Sequence, residues 1–245
     1  MIKNNDCVYC GIAIKKSVNS DNGRSVEHLI PQIAVSKKRT NANGDFHVCR
    51  KCNTEKSKID ELFGLLSRVN TPGEGGIEAV SKLSKMFGKR NKAITKMIDS
   101  ARNNPNGIEL NLPFKGEDVY KYGVFLTKGE FFKKHRSLLD LNKNIVLVTW
   151  GSPNLTRELL KRYKSTHGRN PFADLALNSA VENIYEECFI VVNSTGDEFL
   201  FFFNQEYLLS TKVVEKNEEN MRKKRENKLD LIAGFSKSKR SKYCI

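Results

Sequence analysis

Two pairs of cysteines near the start of the chain constrain its fold more than any other feature of the sequence. Cys7 and Cys10 form the first pair, Cys49 and Cys52 form the second, and 38 residues separate the two pairs. A Cys-x2-Cys pair supplies two thiolates at a spacing that zinc sites use, and two such pairs complete four ligands. We therefore expect a structural zinc site, with a redox pair as the alternative. Cys188 lies in an apolar run and is expected to be a small core residue.

The charge of the chain favours a polyanionic partner. The 245 residues include 42 Lys and Arg against 28 Asp and Glu, which gives a net charge of +14. Acidic proteins and anionic membranes also attract basic proteins, so charge alone does not choose the partner. No apolar run approaches the length of about 20 residues that a membrane-spanning helix needs, and the start of the chain lacks the apolar segment of a secretory signal. We therefore expect a cytoplasmic protein, in which paired cysteines bind metal rather than form disulfides.

Turn signals divide the sequence into four expected segments with an overall α+β fold. The glycine-rich run from 71 to 76 is a strong breaker of secondary structure. It separates residues 1–70, which hold the cysteine pairs, from a helical linker at 71–106. A larger α+β domain with a mainly antiparallel sheet is expected at 107–214, followed by a basic helix and tail at 215–245.

The first segment is expected to contain a strand, a loop, a second strand and a helix. Residues 24–30 and 45–48 have the length and apolar content of strands. A helix is predicted over 53–66 because apolar residues recur there at i, i+3, i+4 and i+7, namely Ile59, Leu62, Phe63 and Leu66. Asn53, Lys56 and Asp60 share a neighbouring flank of this helix.

The later segments are predicted from periodicity alone. One long amphipathic helix is expected over 77–102, with a row of lysines that is either a solvated face or a phosphate contact. The following domain is expected to contain five strands, at 119–126, 145–150, 188–192, 198–203 and 207–214. The third and fourth of these are expected to form a hairpin, and helices at 155–164 and 172–186 are expected to cover the sheet.

The order of motifs in the first segment resembles one enzyme family. The sequence Glu-His-Leu-Ile-Pro occupies residues 27–31, between the cysteine pairs, and Asn53 and Lys56 follow the second pair. Cys-x2-Cys, then Glu-His-x-x-Pro, then Cys-x2-Cys-Asn-x-x-Lys resembles the zinc-containing HNH endonucleases, also called ββα-metal nucleases. The resemblance covers about residues 7–66, and the rest of the chain resembles no family that we can name.

Three residues of this motif could carry out phosphodiester hydrolysis. The reaction needs a base that activates water, a cation against the developing charge, and stabilisation of the leaving oxygen. The imidazole of His28 can be neutral near pH 7, which suits a general base. Glu27 and Asn53 offer hard oxygen ligands, which suit Mg²⁺ or Mn²⁺ better than zinc. Adjacent strand residues point to opposite faces, so Glu27 and His28 can converge only where the strand ends or bulges.

The resemblance assigns these residues to roles in the site. It implies that Glu27 and Asn53 hold the catalytic divalent ion and that His28 is the general base. It also implies that Lys56 contacts the scissile phosphate or an adjacent one. The zinc would then be structural, because so small a unit has little core of its own. Its four ligands would be Cys7, Cys10, Cys49 and Cys52.

The sequence departs from the family pattern at the residue that orients the loop carrying the base. The family has an Asn five residues before the third cysteine, where this chain has Gly44. Asn43 or Asp45 could substitute, or neither, and we expect Asn43. His47 could assist metal binding or orient His28, although a hydrogen-bonded structural histidine is the simpler interpretation.

Simpler interpretations stand beside the catalytic ones. His28 could be an ordinary buried histidine, Glu27 a surface charge and Asn53 a helix cap. His135 and His167 are expected to be surface residues. Trp150 is expected to pack on a core at a strand end rather than to stack on a base.

We therefore predict a metal-dependent HNH endonuclease that cuts DNA, with RNA left open as a substrate. Restriction and antiphage defence are the roles that we expect, with the nuclease acting as a homodimer or as a subunit of a larger complex. The alternative function is a catalytically silent zinc module that binds nucleic acid or a protein partner.

Overall fold

The computed structural model describes the greater part of the chain. The described residues are 1–16, 19–36, 38–104, 107–109, 111–151, 156, 158, 161, 165, 179–184, 188–204 and 207–237. Within them the fold is α+β, as expected, with five helices and an antiparallel five-stranded sheet. Among these residues, no helix is both long enough and apolar enough to cross a bilayer.

The first segment has the expected order of strand, loop, strand and helix. Strand β1 (Arg24–Glu27) pairs antiparallel with β2 (Phe46–Cys49), and helix α1 (Arg50–Arg68) begins directly after β2. The first strand ends three residues earlier than expected. His28 therefore lies outside the strand, at the start of the loop, where its side chain is released from the alternation of the strand.

The linker is two helices rather than the single helix predicted over 77–102. Helix α2 (Glu74–Gly88) and helix α3 (Lys92–Asp99) are separated at Arg90, whose φ of 56° is left-handed. Asn91 then caps α3, because its side chain accepts hydrogen bonds from the first amides of that helix. The break divides the apolar face that one continuous helix would present. Ile94 is fully buried, whereas several other apolar side chains of the two helices are exposed, namely Ile77, Val80, Phe87 and Ile98.

A short hairpin and a long helix follow the linker, and sequence periodicity predicted neither. Strands β3 (Arg102–Asn104) and β4 (Gly107–Glu109) pair with each other, and α4 spans Gly116–His135. The strand expected at 119–126 is wrong, because these residues lie inside α4. The β-branched and aromatic content of this run favours a strand, yet its fully buried residues have helical spacing: Val119, Tyr122 and Leu126.

The sheet contains four of the five expected strands. Its order is β5 (Asn144–Gly151), β9 (Tyr207–Glu215), β8 (Glu198–Phe203), β7 (Cys188–Asn193) and β6 (Ser179–Ile184). All neighbours are antiparallel, and β7 and β8 form the expected hairpin. The helix expected at 172–186 is wrong over the described part, because β6 lies there. The helix expected at 155–164 falls almost entirely outside the described residues.

The C-terminal helix, α5 (Glu218–Lys237), lies against the outer strand of the sheet. Its Asn227 accepts a hydrogen bond from the backbone N–H of Val148 in β5 (3.1 Å). This bond satisfies a donor on an edge strand that would otherwise lack a strand partner. The predicted basic tail beyond residue 237 and Cys244 lie outside the described residues.

One hydrophobic core connects the first segment to the sheet. Phe63 of α1 lies at the junction, with its ring centroid 5.0 Å from that of Tyr122 in α4 and 4.8 Å from that of Phe203 in β8. Trp150 packs against Phe63 at 5.3 Å, which supports its assignment to a core. The close approach of α4 to the sheet depends on Gly123, where a Cβ would lie only 2.6 Å from Val148. The predicted domain boundaries stay predictions, since the segments share this core.

Candidate functional site

The four cysteines of the two pairs form one cluster. Their sulfur atoms all lie within 4.8 Å of one another, and the Sγ atoms of Cys10 and Cys49 are 3.7 Å apart. Four thiolates at Zn–S bonds of about 2.3 Å stand about 3.8 Å apart on the edges of a tetrahedron. The cluster therefore matches a four-thiolate site that could hold a metal such as zinc, as expected from the spacing.

Backbone groups and one lysine surround these sulfur atoms with positive potential. The N–H of Cys49 donates to Sγ of Cys7 (3.2 Å), and the N–H of Cys52 donates to Sγ of Cys49 (3.4 Å). A hydrogen bond with the thiol of Cys52, together with backbone donors, lowers the pKa of Cys7 to about 5. Burial raises the pKa of Cys49 to about 11, and the hydrogen bond with Cys7 raises the pKa of Cys52. From α4, Lys128 donates to the carbonyl of Tyr9, between Cys7 and Cys10. Its charge offsets that of thiolates, which are the form that binds metal.

An open depression lies between the end of β1, the turn that follows it and the first half of α1. Its volume is about 430 Å³. Three predicted catalytic residues line it, namely Glu27, His28 and Asn53. Two further acidic residues of α1, Asp60 and Glu61, lie in the same wall. The structure thus brings the expected acid, base and amide to one place, on the same strand–strand–helix unit as the cysteine cluster.

The side-chain amide of Asn53 is held in a defined orientation. Its Nδ2 donates to Oγ of Ser25 on β1 (2.9 Å). The NH₂ group of the amide therefore bonds to the strand. Oδ1 is the atom that can accept a hydrogen bond or bind a cation. Asn53 is not the helix cap, because Cys49 occupies the cap position of α1.

Glu27 is buried rather than a surface charge. Its side chain is only 2% exposed, and Oε1 pairs with the ammonium of Lys56 at 2.9 Å. Burial raises the pKa of Glu27 to about 7, although Lys56 opposes this shift. The second oxygen, Oε2, is buried and has no hydrogen-bond partner within the described residues. One carboxylate oxygen therefore pairs with Lys56, and the Tyr9 hydroxyl also interacts with this carboxylate and helps to lower its pKa.

His28 has the protonation behaviour that a general base needs. Burial, followed by the charge of Arg39, lowers its pKa below the ordinary value of 6.5. The imidazole is therefore neutral at pH 7 and can accept a proton. Its Nδ1 is buried without a hydrogen-bond partner in the described part of the chain. Buried polar atoms without partners are uncommon in folded proteins, and here two occur in adjacent residues on one depression.

Lys56 does not lie where the expected phosphate contact requires it. Its side chain is fully buried, and its Nζ contacts Glu27 and Asp60, each at 2.9 Å. The same ammonium donates to the carbonyl oxygen of Leu29 (3.0 Å), the residue after His28. A buried ammonium with three such partners cannot reach a phosphate in solvent. The position of Lys56 thus differs from the one expected for a phosphate contact, since its ammonium lies against the loop that carries His28.

The loop is held from its other side by Asp45, not by Asn43 as expected. The carboxylate of Asp45 accepts a hydrogen bond from the N–H of Leu29 (2.8 Å), and its own N–H donates to the carbonyl of Glu27 (2.8 Å). Asn43 instead accepts from the hydroxyl of Thr40 (2.7 Å), within its own exposed turn. Of the two residues, Asp45 therefore contacts the loop that carries His28, and Asn43, which was expected there, bonds within its own turn.

The remaining histidines and Cys188 lie away from this depression. His47 is buried in β2, opposite Val26, and it is not among the residues that line the depression. His135 is exposed, as expected, with Nε2 2.9 Å from the carbonyl oxygen of Gly196. His167 lies outside the described residues. Cys188 is fully buried, in agreement with its expected place in the core.

Two contributors to the site were missed or misjudged in the sequence. Lys128 comes from α4, more than 70 residues after the last cysteine of the cluster, and no motif marks it. Asp45 was the weaker of two neighbouring candidates, although its place directly before β2 could have favoured it.

No protein-family profile matches this chain, and neither a curated protein nor a solved structure matches it.

Proposed function

We propose that this protein is a metal-dependent endonuclease of the HNH type that hydrolyses phosphodiester bonds of DNA. The observation that carries the proposal is the common depression lined by Glu27, His28 and Asn53. A second support is its position on a strand–strand–helix unit with four clustered cysteines. Each feature alone has a structural explanation, but their combination matches the chemistry that the motifs predict.

In the proposed reaction, the neutral imidazole of His28 accepts a proton from the attacking water. Oε2 of Glu27 and Oδ1 of Asn53 would hold Mg²⁺ or Mn²⁺, because these ions prefer hard oxygen ligands. When bound, such an ion supplies positive charge against the phosphate and the leaving oxygen. The cysteine-bound zinc takes no part in bond breaking and holds β2 and α1 to the turn that precedes β1.

Support of the loop is part of the proposed mechanism. Leu29 follows His28 directly, and its N–H and carbonyl are both engaged, by Asp45 and by Lys56. A residue fixed at both backbone groups restricts the preceding imidazole to a narrow range of positions. This restriction favours catalysis, since small displacements of a catalytic group are costly.

A basic surface on the linker supports nucleic acid as the partner. No acidic residue occurs between Glu78 and Asp99. Within that stretch the end of α2, the turn that follows it and α3 present exposed basic side chains, namely Lys85, Lys89, Arg90, Lys92 and Lys96. Such a surface can hold a phosphate backbone without reading its sequence. RNA is the alternative polyanion, and the cleavage assay separates the two.

The proposal is tested by cleavage of supercoiled plasmid in Mg²⁺ or Mn²⁺. We expect His28→Ala and Asn53→Ala to lower the rate by about 10²- to 10⁴-fold, as expected for loss of a general base or of an ion ligand. His135→Ala is the matched control, because His135 is exposed and distant in the chain from the site. Equal cutting by the wild type and both site variants would remove the assignment, and an RNA substrate run in parallel reports the preference.

One observation favours the alternative of a silent zinc module. Glu27 already has a buried ionic partner in Lys56, which gives its carboxylate a structural role without any metal. In that case the wild type would bind nucleic acid or a protein without cutting. Manganese would then fail to bind at the depression, whereas zinc would still be required for folding.

A further inference from the structure

A partly buried cluster of charges connects the C-terminal sheet to the proposed catalytic loop. Lys133, near the end of α4, points its ammonium at three carboxylates from different parts of the chain. The Nζ atom lies 2.8 Å from Glu130 of the same helix and 2.5 Å from Glu182 of β6. It also lies 3.7 Å from Oδ1 of Asp45, in the turn before β2. Lys133 is therefore a common cation for α4, β6 and the first segment.

Asp45 connects this cluster to the loop that carries His28. Its Oδ1 faces Lys133, while its Oδ2 accepts the hydrogen bond from the N–H of Leu29 at 2.8 Å. One oxygen of the Asp45 carboxylate thus faces the cation, and the other holds the loop. If Lys133 moves, the carboxylate of Asp45 is expected to move with it, and this carboxylate holds the N–H of Leu29.

Lys133 is the cation that separates three carboxylates in this cluster. One ammonium faces three carboxylates, and two of them are largely buried, with side-chain exposures of 4% for Glu130 and 18% for Asp45. Burial raises the pKa of Glu130 to about 7, and the charge of Lys133 opposes this shift while that of Glu182 adds to it. Without Lys133, Asp45 would face the other carboxylates with no cation between them, and repulsion would favour its displacement.

We infer that Lys133 is a positioning residue for the proposed nuclease site, which acts through Asp45 on the loop that carries His28. Glu182 anchors the same ammonium to β6, so the geometry of the catalytic loop depends on the C-terminal sheet. This inference rests on the proposed function for its catalytic consequence. Its structural part, the link from Lys133 to Leu29, can be measured without any cleavage.

The experiment compares Lys133→Met with Lys133→Arg, which keeps the charge, and with Lys134→Met as the matched control. Lys134 is the neighbouring exposed lysine on the same helix and has no ion pair with Asp45. The first readout is hydrogen exchange at the amide of Leu29 in the zinc-loaded protein. We expect Lys133→Met to speed exchange at this amide by about tenfold or more, while the other two variants stay near the wild type.

The second readout separates kcat from KM for plasmid or oligonucleotide cleavage in Mn²⁺. We expect Lys133→Met to lower kcat by about 10- to 100-fold with KM nearly unchanged, and Lys133→Arg to restore most of it. Zinc content and the exchange of core amides in the sheet are measured in the same samples. They show whether a lost rate reflects general unfolding rather than movement of the loop.

The outcomes are distinct. Unchanged exchange at Leu29 in Lys133→Met overturns the inference, whatever the wild type cuts. Faster exchange at Leu29 with an unchanged kcat in an active protein overturns its catalytic part. If the wild type cuts no nucleic acid but Lys133→Met still frees the Leu29 amide, the proposed function fails and the structural link stands.

Discussion

The buried ammonium of Lys56 gives the most direct prediction about stability. Its side chain is fully buried and pairs with Glu27 and Asp60, each at 2.9 Å, and it donates to the carbonyl of Leu29. Lys56→Met keeps the length of the side chain but leaves two buried carboxylates without their cation. Loss of one partner from a buried ion pair costs about 3–5 kcal/mol. For a protein of this size we expect the Tm to fall by about 6–20 °C.

The assay is chemical unfolding of the zinc-loaded protein, with Lys58→Met as the matched control. Lys58 is exposed on the same helix, so its replacement should change the free energy of unfolding by less than about 0.5 kcal/mol. A second change, Asp60→Asn in the Lys56→Met background, should recover part of the loss by removing one unpaired charge. The reasoning is refuted if Lys56→Met is as stable as the control. It is also refuted if its main effect is weaker DNA binding with a reduced salt dependence, as expected for a phosphate contact.

Three further predictions concern the zinc cluster, a buried carboxyl group and the loop. Chelation of zinc, or Cys52→Ala, should unfold the first segment, seen as loss of amide protection in α1, whereas an unchanged spectrum would show that the metal is dispensable. Glu130 faces Lys133, Glu182 and Asp45, and its folded pKa of about 7 lies above the ordinary 4.5, so the folded protein binds this proton more tightly than the unfolded chain. The stability that Glu130 contributes is present at low pH and lost as pH rises from about 4.5 to about 7, by at most about 3 kcal/mol relative to Glu130→Gln. The free energy of unfolding of both proteins is measured across this range, and curves that stay parallel would contradict the prediction. Asp45→Ala should lower cleavage by about tenfold or more, whereas Asn43→Ala should not, and the reverse order would restore the expectation from sequence.

Local sequence patterns were sufficient to predict the elements whose structure depends mainly on residues close to them in the sequence. The cysteine spacing predicted the cluster. The strand predicted over 24–30 ends at Glu27, which meets the condition stated for Glu27 and His28 to converge. Four strands of the sheet were predicted within about one residue of their ends, since alternating apolar runs flanked by turn residues are typical of strands. These features depend on neighbours in the sequence.

The errors come from contacts between distant parts of the chain. The run 119–126 has strand-like composition, but α4 buries it on the sheet through Gly123, which lies against Val148. Lys56 has the position of a solvent-facing flank on α1, and only the packing of α4 across that flank, with the Tyr122 ring 5.6 Å from Nζ, places it in the interior. Periodicity identifies the faces of a helix but not the element that covers each face.

The choice between Asn43 and Asp45 failed for a related reason. Both residues precede β2, and a motif spacing alone cannot show which side chain turns toward the loop. Asn43 lies in a short 3₁₀ turn and binds Thr40, whereas Asp45 directly precedes the strand and reaches Leu29. The difference is set by the local turn, which the family pattern does not specify when the usual position is Gly44.

The central claim is that two ions of different chemistry occupy one small strand–strand–helix unit. The most direct measurement is anomalous diffraction from crystals of the zinc-loaded protein soaked in Mn²⁺, recorded at energies that separate the two metals. We expect zinc among Cys7, Cys10, Cys49 and Cys52, and manganese in contact with Glu27 and Asn53 beside His28. Zinc at the cysteines with no manganese in the depression would contradict the account.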